Sequence, residues 1–396
     1  MRVLITSVSA YGHLQPLIPL AKALVEAHHE VAIATGSDLK SRAEAAGFTA
    51  FEAGMATEAA FGRLAEIYPD QPYNRLEPSE ILGWYLPHLF GEVLAPAMLT
   101  DLEVVAQNWK PDVVVHETWE FAGPIVAAEA GIPSVGQTLG LRFDDTILDA
   151  VAAAVAPLWE HRRLMADPTA GLYRSLCLDT TPASLQDHES ARNRDAIHPM
   201  RSIAEPPVPG EMLPRWIEQR RDVPLVYMTL GTNSGTNSDV SMFRSVIDGL
   251  KGLDIDVLIT IGFGKDISTM GPLPENIHVE NYVPQSLLLP HCSVVICHGG
   301  PGTILHSLAH GLPLLILPQG ADQYVMGERV CRAGVGLRLA PADVNPESVQ
   351  AGVLTLMEDA SYKAGAYRLQ REIEGMPKPD EAVHLIEEVA AAVITR

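Results

Sequence analysis

The stretch that most constrains the fold is His298 to Gln323, HGGPGTILHSLAHGLPLLILPQGADQ, which follows the apolar run Ser293-Val-Val-Ile-Cys297. That run is too short and too β-branched for a helix, so it reads as a buried strand ending at His298. Gly299 and Gly300 then allow a tight turn, and Pro301 suits a first helical turn because its missing N–H would be unpaired there. Strand, small-residue turn and helix start together present free N–H groups and the positive end of a helix dipole, a cradle suited to a diphosphate. A second strand, Leu314 to Leu317, ends at Pro318, and the polar cluster Gln319, Asp322 and Gln323 follows it. Ligands of open α/β sheets bind beyond the carboxyl ends of strands, so this cluster is expected beside the cradle, exchanging hydrogen bonds with hydroxyls.

At 396 residues the chain is long enough for two domains, and its apolar content suffices for two cores. A formal net charge of −21 argues against a nucleic-acid partner, and no local basic stripe offsets it. Cys177, Cys292, Cys297 and Cys331 show no metal-type spacing, so a reduced, cytoplasmic setting is expected. The chain starts directly in a strand pattern, Val3-Leu-Ile5, and no apolar run is long enough to span a bilayer.

The first half alternates strand and helix patterns. Arg2 to Thr6, Glu30 to Ala34, Asp112 to Val115, Ser134 to Gln137 and Leu176 to Leu178 read as strands of a parallel sheet. Leu14 to Ala27 reads as a helix with Leu17, Leu20, Ala21 and Leu24 on one face, and Gly123 to Ala130 as another, closed by Gly131 and Pro133. The expected organisation is an α/β first domain over 1–204, a Pro-rich linker over 205–224 with a short helix around Trp216, and a second α/β domain over 225–375. In that second domain, strands at Leu225 to Leu230 and Asp256 to Ile261 flank a helix near Met242 to Leu250. Beyond Gly336 only helices are expected, the last of them, over 376–396, crossing back to the first domain.

The loop Ser7-Val-Ser-Ala-Tyr-Gly-His13 is the first-domain analogue of the cradle, and His13 is its one ionisable side chain. A positive helix end disfavours imidazolium and would leave a neutral ring able to take a proton, with Glu117 as its orienting carboxylate. The alternative is a histidine that caps or packs the loop. The pair His306 and His310 has zinc-helix spacing, but Ser307 stands where a metalloprotease needs glutamate, so a solvated or packed face is the simpler reading. Asp254-Ile-Asp256, the one Asp-x-Asp, reads as strand-edge solvation rather than a Mg²⁺ clamp. Trp84, Tyr85, Phe90, Trp119, Phe121 and Phe143 are candidates for a hydrophobic pocket, each alone being more often core.

The segments SVSAYGHLQPLIPL from Ser7, Pro111 to Glu117, PLVYMTLGT from Pro224, Val283-Pro-Gln285, His298 to Gln323 and Pro377 to Glu387 span nearly the whole chain. Taken together they resemble the GT-B glycosyltransferases that attach deoxysugars to natural products in actinobacteria, the calicheamicin and macrolide type. The resemblance implies two facing Rossmann-like domains with a C-terminal helix crossing back to the first. It implies His13 as general base and Glu117 as the acidic residue that orients it, where the family more often has Asp. It implies a donor site of Gly231 and Thr232 at the phosphates, Val283 and Gln285 in the wall of the base pocket, and His298, Gly299, Gly300 and Thr303 on the diphosphate. Asp322 and Gln323 would hold the sugar hydroxyls, while Trp84, Trp119, Phe121 and Phe143 would meet the acceptor. A further departure is His28-His29, where the family usually has Gly-His.

The implied reaction is an inverting, metal-independent transfer from a thymidine diphosphate (TDP) sugar, preferred over a uridine diphosphate (UDP) sugar, to a hydroxyl of a hydrophobic natural-product aglycone. No cofactor is implied beyond that co-substrate. A sugar-nucleotide epimerase and a non-catalytic nucleotide-sugar-binding helper are the alternatives, and a homodimer is left open.

Overall fold

In the computed structural model the described residues are 1–70, 76, 78–186, 194–207, 210–231, 240–263 and 265–394. They fall into two units, Met1–Arg201 with Met376–Arg396, and Ser202–Gly375.

The first unit is built on a seven-stranded parallel sheet of order β3-β2-β1-β4-β5-β6-β7. Its strands are β1 (Arg2–Thr6), β2 (Glu30–Thr35), β3 (Thr49–Glu52), β4 (Val113–Glu117), β5 (Ser134–Gln137), β6 (Leu176–Asp179) and β7 (Ile197–Pro199). The inner strands read as continuous apolar runs because helices cover both faces, and Val3, Ile5, Val113 and Val115 are fully buried. The order reverses between β1 and β4, so the crevice beyond their carboxyl ends is where a ligand site is expected. His13 follows β1, and Glu117 ends β4.

The helix after β1 begins at Tyr11 rather than Leu14 and runs in three pieces, Tyr11–Leu14, Gln15–Leu17 and Ile18–Glu26. Pro16 and Pro19 explain the breaks, since neither can donate the hydrogen bond that a continuous helix needs there. His13 is therefore inside the first helical turn, its own N–H held by the Ala10 carbonyl at 3.0 Å.

The C-terminal helix, Pro379–Ile394, clusters with this first unit. Ala382, Val383 and Ile386 bury themselves in the same core as Leu17, Leu20 and Leu24. Val383 and Ile386 alone are worth roughly 3–6 kcal/mol of burial. Two polar contacts fix the register: the Arg201 N–H donates to the Pro377 carbonyl at 2.7 Å, and His29 Nε2 lies 3.1 Å from Glu387 Oε1. His28, at φ 65, takes the left-handed conformation that glycine adopts at least cost, which accounts for the glycine usual there in the resembling family.

The second unit carries a six-stranded parallel sheet of order β10-β9-β8-β11-β12-β13. Its strands are β8 (Leu225–Thr229), β9 (Asp256–Thr260), β10 (Ile277–Glu280), β11 (Val294–Cys297), β12 (Leu314–Ile316) and β13 (Gly336–Arg338). The expectation of helices only beyond Gly336 is corrected by β13, an edge strand paired with β12. The order reverses between β8 and β11, and Gly231 and His298 follow those two strands.

The stretch 205–224 clusters with this unit. Trp216, on the helix Arg215–Gln219, stacks on His278 of β10 with ring centroids 3.7 Å apart. Arg221 bridges Asp254 and Asp256 at 3.2 and 3.3 Å, so the Asp-x-Asp pair is neutralised by a nearby cation at the strand start.

Candidate active site

In the first unit, His13 Nδ1 lies 3.0 Å from Glu117 Oε1. A carboxylate oxygen only accepts, so the ring proton sits on Nδ1 and Nε2 keeps its lone pair. Glu117 is fully buried, whereas the His13 side chain keeps 18 % of its surface exposed. Oε2 of Glu117 accepts from the Trp119 N–H at 2.6 Å, and Oε1 also accepts from the Val8 N–H at 3.4 Å. Both the carboxylate and the loop after β1 are thereby held in place. This is the pairing of base and orienter that nucleophile activation requires.

Aromatic rings close around the histidine. Phe90 stacks on it at 5.8 Å, and Trp119 meets it edge-on at 5.5 Å. Phe90 and Trp119 touch at 4.9 Å, and Phe143 meets Trp119 at 6.0 Å. Phe90 is delivered by a π-helical stretch, Leu86–Leu94, a form that recurs at functional sites. Trp84 is not brought into this group: its ring partners are Tyr68 and His88, and it lines a groove of about 610 Å³ with Ala150, Ala153 and Ala154. Phe121 is fully buried among core residues.

A second buried carboxyl, Glu120, was not singled out in the sequence, although HETWE displays it. It accepts from the Thr6 hydroxyl and from the Gly123 and Ala122 N–H groups at the start of the helix Gly123–Ala130, at 3.0 Å for Gly123. Burial pushes its pKa up to about 7, partly opposed by these donors. His116, one residue before Glu117, is driven down to about 4 by burial and is a neutral sheet residue.

In the second unit the cradle takes the expected form. Gly299 has φ +99, and a Cβ there would meet the Gln323 carbonyl at 3.0 Å, so the turn after β11 packs directly on the start of the helix that follows β12. The helix Pro301–Ala309 starts at Gly300, whose Cβ position would lie 2.5 Å from His298 Nε2. The His298 ring thus lies across the turn. Its pKa is lowered to about 4 by burial, and Nδ1 has no hydrogen-bond partner, so the ring is neutral and offers a nitrogen rather than a charge.

Thr303 is nearly buried one turn into the helix, and Gln285 Nε2 donates to its hydroxyl at 3.1 Å. Val283 is buried. The Gln323 side chain accepts from the Gln319 and Gly320 N–H groups at 2.7 and 3.2 Å, and Asp322 precedes the helix Gln323–Arg332 without a side-chain hydrogen bond to its first turn. Gly231, at φ +85, donates to Thr229 Oγ1 at 3.3 Å. Thr232 lies outside the described residues. Among the described residues no group of His, Cys, Asp or Glu forms a metal site, and His310 Nδ1 bonds the His306 carbonyl.

Comparison with known proteins identifies the lineage. The N-terminal domain of the erythromycin biosynthesis protein CIII-like type matches residues 22–231, and its C-terminal domain matches 244–389. The chain belongs to this family of glycosyltransferases. It is 30% identical to the tylactone mycaminosyltransferase of Streptomyces fradiae, over 99% of this chain and 93% of that one. Among solved structures it resembles the glycosyltransferase VinC in complex with DTDP (26% identity, TM-score 0.79, covering 99% of this chain and 100% of that one). It also resembles the spinosyn rhamnosyltransferase SpnG complexed with spinosyn aglycone (25% identity, TM-score 0.83, covering 98% and 100%). The fold is GT-B, and the relatives are transferases of antibiotic biosynthesis rather than epimerases or helpers.

Proposed function

We propose that this glycosyltransferase moves a deoxysugar from a TDP-sugar to a hydroxyl of a hydrophobic natural-product aglycone, with inversion and without a metal. The observation that carries the reading is the His13–Glu117 pair, 3.0 Å apart, with a free Nε2 lone pair beside aromatic rings. In the step, the acceptor hydroxyl gives its proton to His13 Nε2 as its oxygen bonds the anomeric carbon. The bond from that carbon to the diphosphate oxygen breaks with its electron pair, so negative charge grows on the leaving group.

Donors fixed in advance meet that charge without reorganising, which is the main catalytic asset of a cradle. The first-turn N–H groups of Gly302 and Thr303, the Thr303 hydroxyl and the neutral His298 ring are those donors. Asp322 and Gln323 are assigned to the sugar hydroxyls. Phe90, Trp119 and Phe143 give the acceptor an apolar wall, which favours a hydrophobic aglycone over a sugar or peptide. The solved relative bound to DTDP favours TDP over UDP as the carrier.

The test is a mass-resolved assay of wild type and His13→Ala with TDP-sugars, UDP-sugars and a panel of aromatic and macrocyclic acceptors. Wild type is expected to add one sugar mass from the TDP donor, and His13→Ala to bind TDP normally while losing most transfer. Equal transfer by both proteins would remove His13 from the base role.

A further inference from the structure

The Thr303 hydroxyl is one end of a chain of hydrogen bonds with a definite direction. Gln285 Nε2 donates to Thr303 Oγ1 at 3.1 Å, and His306 Nδ1 lies 3.2 Å from Gln285 Oε1. An amide oxygen only accepts, so His306 carries its proton on Nδ1 and its Nε2 is an acceptor. That acceptor faces the Ser202 hydroxyl at 3.5 Å. The Thr303 carbonyl is fixed separately by the Ser307 hydroxyl at 2.7 Å. Burial, and secondarily His310, lowers the His306 pKa to about 4, which keeps the ring a neutral single tautomer near pH 7.

Each link donates toward Thr303. With an amide N–H already occupying a lone pair of its oxygen, the Thr303 hydroxyl keeps its own proton for a further acceptor. We infer that Ser202, His306 and Gln285 form a one-way relay that aims the Thr303 hydroxyl proton at a phosphate oxygen, making Gln285 and His306 positioning residues for the nucleoside diphosphate. This rests on the reading of Thr303 as a diphosphate contact. It also gives Gln285 a task that its place in the base-pocket wall does not: its side chain is spent on the helix Pro301–Ala309.

The relay predicts a reversal. In Gln285→Glu a carboxylate accepts from both His306 Nδ1–H and the Thr303 hydroxyl, turning that proton away from the phosphate. TDP affinity, measured by calorimetry, should fall by about tenfold or more in Thr303→Val and comparably in Gln285→Glu, since hydrogen bonds to charged groups are the strong ones. The double variant should bind within about twofold of Thr303→Val, because without the hydroxyl there is nothing left to misdirect. If Gln285→Glu costs the same factor in both backgrounds, its charge alone is responsible and the relay is overturned.

A measurement on the unaltered protein does not depend on whether Thr303→Val or Gln285→Glu folds. The ¹⁵N spectrum of His306, identified by its loss in His306→Gln, should show a protonated Nδ1 and an unprotonated Nε2. The opposite tautomer would mean that the Gln285 amide is turned around, and it would overturn the inference with the diphosphate reading intact. Wild type that does not bind TDP, or Thr303→Val that binds as wild type does, would instead remove the diphosphate reading and the relay with it.

Discussion

Replacing Glu117 with glutamine changes one oxygen to an N–H₂ group and should abolish most transfer while leaving the fold and donor affinity in place. The amide has two orientations. If its nitrogen faces the Trp119 N–H, two donors meet at 2.6 Å in a fully buried site, at a cost of about 1–3 kcal/mol. If its oxygen faces Trp119 instead, its nitrogen faces His13 Nδ1, and the imidazole escapes the clash by moving its proton to Nε2. That escape costs only the long contact from the Val8 N–H at 3.4 Å, and it removes the lone pair that takes the acceptor's proton. General-base catalysis is worth roughly 10²–10⁴ in rate, so the barrier should rise by about 2.7–5.4 kcal/mol. Single-turnover transfer measures the rate, and calorimetry with TDP measures donor binding, which should be unchanged. Glu117→Asp, the residue more usual in this family, should retain more activity than the glutamine variant. A glutamine variant within about threefold of the wild-type rate would refute the base–orienter argument.

Further outcomes are expected from the buried polar groups and the cradle. Gly299→Ala forces a side chain into φ +99, 3.0 Å from the Gln323 carbonyl, and should cost about 1–3 kcal/mol in urea unfolding together with weakened TDP binding. Glu120 has a folded pKa raised to about 7, so the folded state holds its proton where the unfolded state has lost it. Stability from this group is therefore greatest below about pH 4.5 and is lost as pH rises to about 7. In Glu120→Gln that downward slope should disappear relative to wild type, read as the difference of the two urea midpoints across the window. Arg142 Nη1 pairs the buried Asp179 at 3.1 Å, and Arg142→Met should destabilise by roughly 3–5 kcal/mol at pH 7. The loss should shrink at pH 5, because burial raises the Asp179 pKa and an unpaired carboxyl can protonate.

Much of this architecture is legible in the chain because the informative segments are locally consistent. Arg2–Thr6, Ser134–Gln137 and Gly123–Ala130 fold where their apolar runs and glycine stops put them. The strands left out, β3, β7, β10 and β13, are three or four residues long and are strands because a neighbour pairs with them. Gly336-Leu-Arg338 carries no strand pattern of its own and is ordered by β12. The start of the helix at Tyr11 was hidden for a related reason: a glycine and Pro16 lie within its first turns, and tertiary packing overrides them.

At the site, the pairing of His13 with Glu117 followed from strand-end logic, since both leave the sheet where its order reverses. The grouping of aromatics did not follow. Neighbours in sequence such as Trp84 and Tyr85 point to different surroundings, Trp84 to Tyr68 and His88 and Tyr85 to Phe61 and Phe90. His306 could be read as solvated or packed, and it is packed. Its partners come from far along the chain, at Ser202 and Gln285, which no spacing rule reaches.

The most direct test of the central claim is the anomeric configuration of the product, read by NMR from a reaction with an α-linked TDP-sugar. A single displacement by a hydroxyl that His13 has deprotonated predicts the β-glycoside. An α-glycoside would contradict that mechanism, because retention requires a second displacement or a front-face attack that the His13–Glu117 pair does not provide.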